Sequence, residues 1–200
     1  GQQIVATRLC LDRSFTTEDF AALDRWLTTP PWKQSQARCR LPELRITAGA
    51  YPPETVEAIE RYMAAWRREN ERAQTVLRFA LLCVLESVSY TRKDGQYLRW
   101  DDRCGRRWGT KPFSKGRIPS FDEAITHKLT EIMRDAQHGD ERKDFFSAEG
   151  ACGDVRLLEG SCLEVMPKLP AESYDVVMTS PPYCNRYDYT RTYALELALL

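Results

Sequence analysis

Asp175-Val176-Val177-Met178 runs directly into Thr179-Ser180-Pro181-Pro182-Tyr183. The first four residues predict a short strand apolar on both faces, as parallel-sheet strands are. Ligands in open α/β sheets bind just beyond the carboxyl ends of strands, which is where Ser180 to Tyr183 would stand. Consecutive prolines fix their own φ angles and carry no N–H, so their carbonyls are rigid acceptors without a competing donor. The Ser180 hydroxyl can donate or accept. Tyr183 offers a flat face with a polar tip. Rigid acceptors beside an aromatic platform suit holding a planar ring that bears an exocyclic amine. Thr29-Pro30-Pro31-Trp32 and Tyr51-Pro52-Pro53 serve as internal controls. Neither follows an acidic-then-apolar strand, so both read as helix punctuation.

A second set of residues points to a polyanion. Segment 91–118 holds nine basic residues, Arg92, Lys93, Arg99, Arg103, Arg106, Arg107, Lys111, Lys115 and Arg117, against Asp94, Asp101 and Asp102. Tyr97, Trp100 and Trp108 interleave with them, and Gly95, Gly105, Gly109 and Gly116 make the segment read as loop. Basic side chains neutralise phosphates, and aromatics can stack on unpaired bases. The competing reading is a solvated loop whose tryptophans anchor it to helices. Arg186 and Arg191, beside the Pro-Pro motif, are further candidates for phosphate contact.

The elements that must position these groups are mostly helical up to about residue 137. Thr16 or Thr17 can cap a helix whose first turn holds Glu18 and Asp19, with Phe20, Leu23, Trp26 and Leu27 at helical spacing. Residues 31–54 read as irregular, with a basic patch at Lys33, Arg38 and Arg40. Val56, Ile59, Tyr62, Met63 and Trp66 share a face of the next helix. Charge at Arg67 to Glu71 interrupts before Val76 to Leu85, a helix apolar nearly all round and so predicted to be buried. Phe121, Ile125, Leu129, Ile132 and Ala136 define another helix from about Ser120. Residues 137–150 read as a polar connector. After Gly153 the pattern becomes α/β: a strand at Val155, Leu157 and Leu158, a short helix from Cys162 to Met166, the strand before the motif, and a helix from about Thr192.

Composition sets outer bounds. The chain has 200 residues, 42% of them hydrophobic, with 29 Lys plus Arg balancing 29 Asp plus Glu. These values exclude a disordered tail or a collagen-like chain. No apolar run approaches the roughly 20 residues that span a bilayer, and residues 1–6 lack the pattern of a signal peptide, so a cytoplasmic location is expected. Zero net charge is an average that includes a loop of net +6 (nine minus three) and does not exclude nucleic acid. The seven cysteines include no C-x-x-C pair, and neither His127 nor His138 stands at a zinc-finger interval from one. They read as reduced thiols, and no metal site is expected.

Ser180 to Tyr183 resembles the catalytic motif of the DNA amino-methyltransferases, in which Asp, Asn or Ser precedes Pro-Pro and an aromatic. The lead-in is similar as well: Leu158-Glu159-Gly160-Ser161-Cys162-Leu163-Glu164-Val165-Met166, Leu169-Pro170, and Ser173-Tyr174 before the strand. The block from Leu85 to Trp100 resembles a subgroup of predicted DNA methylases. The resemblance implies an α/β fold: part of a Rossmann-like, S-adenosylmethionine-dependent methyltransferase sheet over 149–200, preceded by a mainly helical segment over 1–148. It implies methyl transfer from S-adenosylmethionine to an exocyclic amine of a base flipped out of duplex DNA. Ser180, Pro181, Pro182 and Tyr183 would be catalytic. Cys184 is no nucleophile, since nothing beside it would lower its pKa. Ser161 and Glu159 would serve the cofactor, Ser161 standing where the family often has an acidic residue. Arg99, Arg106, Arg107, Arg186 and Arg191 would contact DNA. Ser in the first motif position resembles the cytosine-N4 enzymes. The alternatives are adenine-N6 methylation, methylation of RNA or of a protein glutamine, and a non-catalytic DNA-binding module with a methylase remnant. The glycine-rich cofactor turn of the family has no counterpart: Glu149 to Asp154 comes nearest but precedes a strand. The chain also stops inside a helix. It is therefore expected to be a fragment or one half of a split enzyme, with the cofactor turn upstream, and inactive alone.

Overall fold

The computed structural model describes residues 2–94, 97–106, 112–137, 155–158, 160–179 and 189–199. Helices α1 (Gln2–Arg13), α2 (Thr17–Thr28), α3 (Pro31–Gln34), α4 (Pro53–Trp66) and α5 (Glu71–Val84) come first. An antiparallel pair follows, β1 (Thr91–Lys93) and β2 (Leu98–Trp100), then a 3-10 turn at Asp102–Cys104 and the long helix α6 (Phe121–Gln137). Later come the short helices α7 (Cys162–Val165), α8 (Tyr189–Thr192) and α9 (Ala194–Leu197).

The expected helices form for the expected reasons. Thr16 caps α2: its Oγ1 accepts from the Asp19 N–H while Asp19 Oδ2 accepts from the Thr16 N–H at 2.8 Å. Asn70 caps α5 by accepting from the Ala73 N–H at 3.0 Å. The two proline pairs are punctuation: Pro31 and Pro53 are the first residues of α3 and α4, where a missing N–H costs nothing. Helix α5 is central, packed by α1, α2, α4 and α6, which explains its nearly all-round apolarity. Helix α1 gives no comparable sequence signal. Its buried contribution includes Thr7, and Leu11 packs against the core from a partly buried position.

Tyr62 is the hub of the core. It has no solvent exposure, and its ring centroid lies 5.1 to 5.7 Å from those of Trp26, Trp32, Trp66 and Phe121. The polar tips of these aromatics are satisfied. Tyr62 donates to the Leu77 carbonyl at 2.9 Å, Trp26 to Glu69 and Trp32 to Asp122 at 2.8 Å each.

Asp19 is fully buried and ties the start of α2 to the start of α5. Besides the Thr16 N–H, it accepts from Asn70 Nδ2 at 2.8 Å and Arg72 Nε at 2.6 Å. Burial alone would raise its pKa, but these donors outweigh burial and hold the carboxyl well below the usual carboxylate range. A depressed pKa gives stability that is fully present above the unfolded value of about 3.9 and is lost progressively as pH falls from there through the lower folded value. Asp19→Asn is therefore expected to flatten the acid limb of the stability curve below about pH 4, measured as urea midpoints across pH. An unchanged acid limb would refute the assignment.

Two expectations need correction. The stretch 91–118 is not all loop, because residues 91–93 and 98–100 pair as a hairpin with Thr91 opposite Trp100 and Lys93 opposite Leu98. Thr91 and Leu98 are buried, so one face of this charge-rich segment serves the core. Neither Val155–Leu158 nor Asp175–Met178 forms a strand. A strand apolar on both faces needs ladder neighbours on its edges and cover on its faces. Among the described residues the strands are β1 and β2, which pair only with each other. The apolar residues stay exposed: Val176 by 75%, Val177 by 74% and Met178 by 93%. The described residues contain a mixed, mainly helical architecture with a two-stranded sheet, and no parallel sheet.

Candidate functional site

Ser180, Pro181, Pro182, Tyr183, Cys184 and Arg186 lie outside the described residues, as do Glu159 and Arg107. The structure does place the chain on both sides of the motif. On the near side, Gly160 adopts φ 140°, and a Cβ there would meet Val165 Cγ2 at 3.1 Å, so the turn into α7 requires glycine. Ser161 holds the N-cap position of α7 but makes no capping hydrogen bond. Its hydroxyl is exposed and uncommitted to the helix it precedes.

On the far side, the chain is anchored to the helical core. Ala194 and Leu195 of α9 are buried in the same cluster as Leu77 and Leu81. Arg78 Nη2 donates to the Leu199 carbonyl at 2.9 Å. Lys93, at the end of β1, donates to Glu196 Oε1 at 2.5 Å and lies 4.6 Å from the centroid of the Tyr193 ring. A second carboxylate, Glu86, stands 3.6 Å from the same ammonium. The hairpin and the segment that follows the Pro-Pro motif are thus held together through one lysine. Arg191 is on the exposed side of α8.

Lys93 and Glu196 are each less than a quarter exposed, so their contact is only weakly screened. Lys93→Met is expected to cost about 1–2 kcal/mol. It should also loosen 189–199, read as faster proteolysis of that end. In a double-mutant cycle with Glu196→Gln the two substitutions should be non-additive. Additive effects would show that the contact contributes nothing.

The hairpin's two faces differ. Thr91, Lys93, Leu98 and Trp100 turn inward, while Arg92, Arg99, Asp94 and Tyr97 turn outward and are exposed. Arg92 and Arg99 stand directly opposite each other. Arg99 lies 3.6 Å from Asp94 and 4.5 Å from the Phe113 ring centroid. Arg106 is engaged on the protein, its guanidinium 4.4 Å from the Trp100 ring centroid and donating to the Ile46 carbonyl at 3.3 Å.

A buried carboxylate organises the loop behind the hairpin. Asp101, 1% exposed, accepts from Arg103 Nε at 2.7 Å, Arg103 Nη2 at 2.8 Å and the Lys115 N–H at 2.6 Å. The Arg103 guanidinium and these backbone donors hold its pKa well below the usual range. Lys115 turns its ammonium onto the carbonyls of Glu86, Ser87 and Ser89, the last at 3.0 Å, capping the end of the turn that follows α5. Burial pushes its pKa down to about 8 against the pull of Glu86 and Asp101, so it remains charged at neutral pH. Arg117 pairs with Glu123 at 2.8 Å. Much of the basic run thus has a structural assignment that a count of charges does not reveal.

The patch at Lys33, Arg38 and Arg40 is partly neutralised, since Lys33 pairs with Asp122 at 3.0 Å and Arg38 with Glu57. A cleft of about 430 Å³ opens where α4 and α6 begin, lined by Thr55, Tyr90, Arg103 and Ser120. Glu54 and Asp122 also line it, which sets two carboxylates against any anion there. No helix among the described residues is long and apolar enough to cross a membrane.

Comparison with known proteins places this arrangement in context. The chain is 51% identical over 200 residues to "Type II methyltransferase M.AvaI" of Nostoc sp. strain PCC 7120, and equally to that of Anabaena variabilis. All of the chain is covered in each case, but only 41% of the relative. "Type II methyltransferase M.BsoBI" of Geobacillus stearothermophilus is 38% identical over 173 residues, covering 78% of the chain and 33% of the relative. The chain thus spans well under half the length of the curated relatives it matches. No family model matches the chain, and no solved structure matches it.

Proposed function

The chain belongs to the type II methyltransferase family, over the segment of its relatives that it spans, and on that premise we propose that the whole protein methylates an exocyclic amine in duplex DNA, cytosine N4 by preference. The observation that carries the proposal is the 51% identity across the whole chain to a named methyltransferase, in a sequence holding Ser180-Pro181-Pro182-Tyr183 behind an acidic-then-apolar run. The "type II" designation of the relatives supports a place in restriction-modification. A cytoplasmic enzyme that meets DNA directly fits this role.

The roles follow from the residue types. Tyr183 stacks on the flipped base. The Ser180 hydroxyl and the Pro181 carbonyl accept hydrogen bonds from its amino group. Those bonds draw the nitrogen lone pair out of conjugation with the ring, so that it can attack carbon. Forming the N–C bond would break the donor's methyl–sulfur bond and release a neutral thioether, while the carbonyl and hydroxyl stabilise the positive charge growing on nitrogen and the surplus amine proton would pass by way of the Ser180 hydroxyl to solvent. S-adenosylmethionine, when bound, supplies the methyl group on a sulfonium. Of the residues proposed for it, Ser161 has a hydroxyl not consumed by capping, and Gly160 leaves a side-chain-free turn beside it, so this corner fits a hydrogen-bonded nucleoside edge. Holding the base, orienting its amine and excluding water are positioning effects of the kind that dominate when no covalent enzyme intermediate forms. Ser180, rather than Asp or Asn, supports cytosine over adenine.

The test is methyl incorporation by the full-length protein from labelled S-adenosylmethionine. Incorporation into duplex DNA is expected. Label appearing in RNA or protein, with none in DNA, would refute the reading.

A further inference from the structure

We infer that the outward face of the β1–β2 hairpin enters a groove of duplex DNA, with Arg92 and Arg99 as a paired phosphate clamp. The inference rests on the DNA reading above and goes beyond it by assigning the contact to one face of one element.

The observation is a cost that the fold compensates only in part, on the Arg99 side. Arg92 and Arg99 occupy the same cross-strand position on the exposed face. Like charges directly opposite each other weaken a strand pair. Asp94 lies on the same face but stands 3.6 Å from Arg99, at a distance that offsets only one of the two cations. The remaining positive charge faces solvent. An anion brought to this face removes the repulsion, so the pair is arranged for a polyanion and not for the isolated fold.

Shape agrees with charge. A two-stranded ribbon is about 4.8 Å between strand axes, and the major groove of B-DNA, about 12 Å wide, admits one. Tyr97, 52% exposed and next to the turn, extends the same face as a flat amphipathic side chain. The opposite face explains how the ribbon is held for such a task. Leu98 and Thr91 are buried, Trp100 carries Arg106, and Lys93 grips Glu196 in the segment after the Pro-Pro motif. A ribbon seated in a groove would thereby fix the position of the chain just after the proposed catalytic residues.

The experiment uses the full-length protein and a duplex carrying its methylation site, with affinity measured across salt concentrations. Each lost phosphate contact lowers the slope of log affinity against log salt by about 0.9. Arg92→Gln/Arg99→Gln is expected to reduce the slope by about 2 and the affinity at moderate salt by about tenfold or more. Arg92→Lys/Arg99→Lys should retain the slope. Circular dichroism and a melting curve establish that the Gln variant is folded. The substitution removes a repulsion together with the exposed Arg99 contacts to Asp94 and the Phe113 ring, so its melting temperature should change little. Wild-type DNA binding with an unchanged slope in the folded Gln variant overturns the clamp and leaves the methyltransferase reading standing. Absence of DNA binding by the wild type overturns both.

Discussion

Tyr183→Ala in the full-length protein is expected to lower kcat/KM for methyl transfer at least ~1000-fold, because it removes the platform proposed to hold the extruded base. Unstacking a base from duplex DNA costs a few kcal/mol, and the enzyme recovers that only by stacking and hydrogen bonding in its own pocket. Without the aromatic face the amine is neither held nor aligned, so chemistry and binding of the flipped state fail together. Pro182→Ala should have a comparable effect. It adds a backbone donor beside the acceptors and frees φ at a position whose proposed role depends on rigidity. Cys184→Ala should retain most activity, since direct transfer needs no thiolate. Methyl incorporation in single-turnover assays separates these cases. Near-normal transfer by the Tyr183 variant, or loss of transfer in the Cys184 variant, would contradict the roles assigned.

The largest effect on stability is expected at Tyr62. It is fully buried, touches four aromatic rings and carries a satisfied hydroxyl. Tyr62→Ala removes the whole ring from a site walled by Trp26, Trp32, Trp66 and Phe121. Rigid neighbours of that size collapse poorly into the space, so the cost falls in the range of about 3–5 kcal/mol known for large aromatic deletions. Tyr62→Phe keeps the ring and loses only the bond to the Leu77 carbonyl, at about 1 kcal/mol. Urea denaturation of both variants checks the difference. A small loss for Tyr62→Ala would mean that the aromatic cluster is not the core it is taken to be.

These two residues illustrate what sequence could and could not convey. Ile59, Tyr62, Met63 and Trp66 recur at helical spacing, and all four are buried where that spacing puts them. The cap at Thr16 and the start of α4 after Pro52 were equally legible, because capping and proline chemistry act within a few residues, whereas the single turn of α3 at Pro31–Gln34 falls in a stretch that reads as irregular. Helix α1 was not legible, since it carries no cap signal. The hairpin was hidden by its own charge. Its Asp94-Gly95 pair is a strong turn signal, but Lys93 facing inward disguised the alternation. That lysine is tolerated because Glu86 and Glu196 receive it. Val176 and Val177 show the reverse failure, where local apolarity predicted a strand but no ladder partner exists among the described residues. Of the candidate site, the Pro-Pro motif lies outside the described residues, and its reading rests on residue types and resemblance. The commitments of Arg106 to the Ile46 carbonyl and of Lys115 to the Ser89 carbonyl were not legible, because those partners lie on separate stretches of chain, and even the local pairing of Arg103 with Asp101 is invisible to a count of charges.

The central claim is methyl transfer to an exocyclic amine of DNA, and nucleoside analysis tests it most directly. Duplex DNA treated with the full-length enzyme and S-adenosylmethionine is digested, and its nucleosides are separated by chromatography and identified by mass. The account predicts N4-methylcytosine, absent when the Tyr183→Ala variant is used. N6-methyladenine would contradict the role given to Ser180, and no modified nucleoside at all would contradict the claim itself.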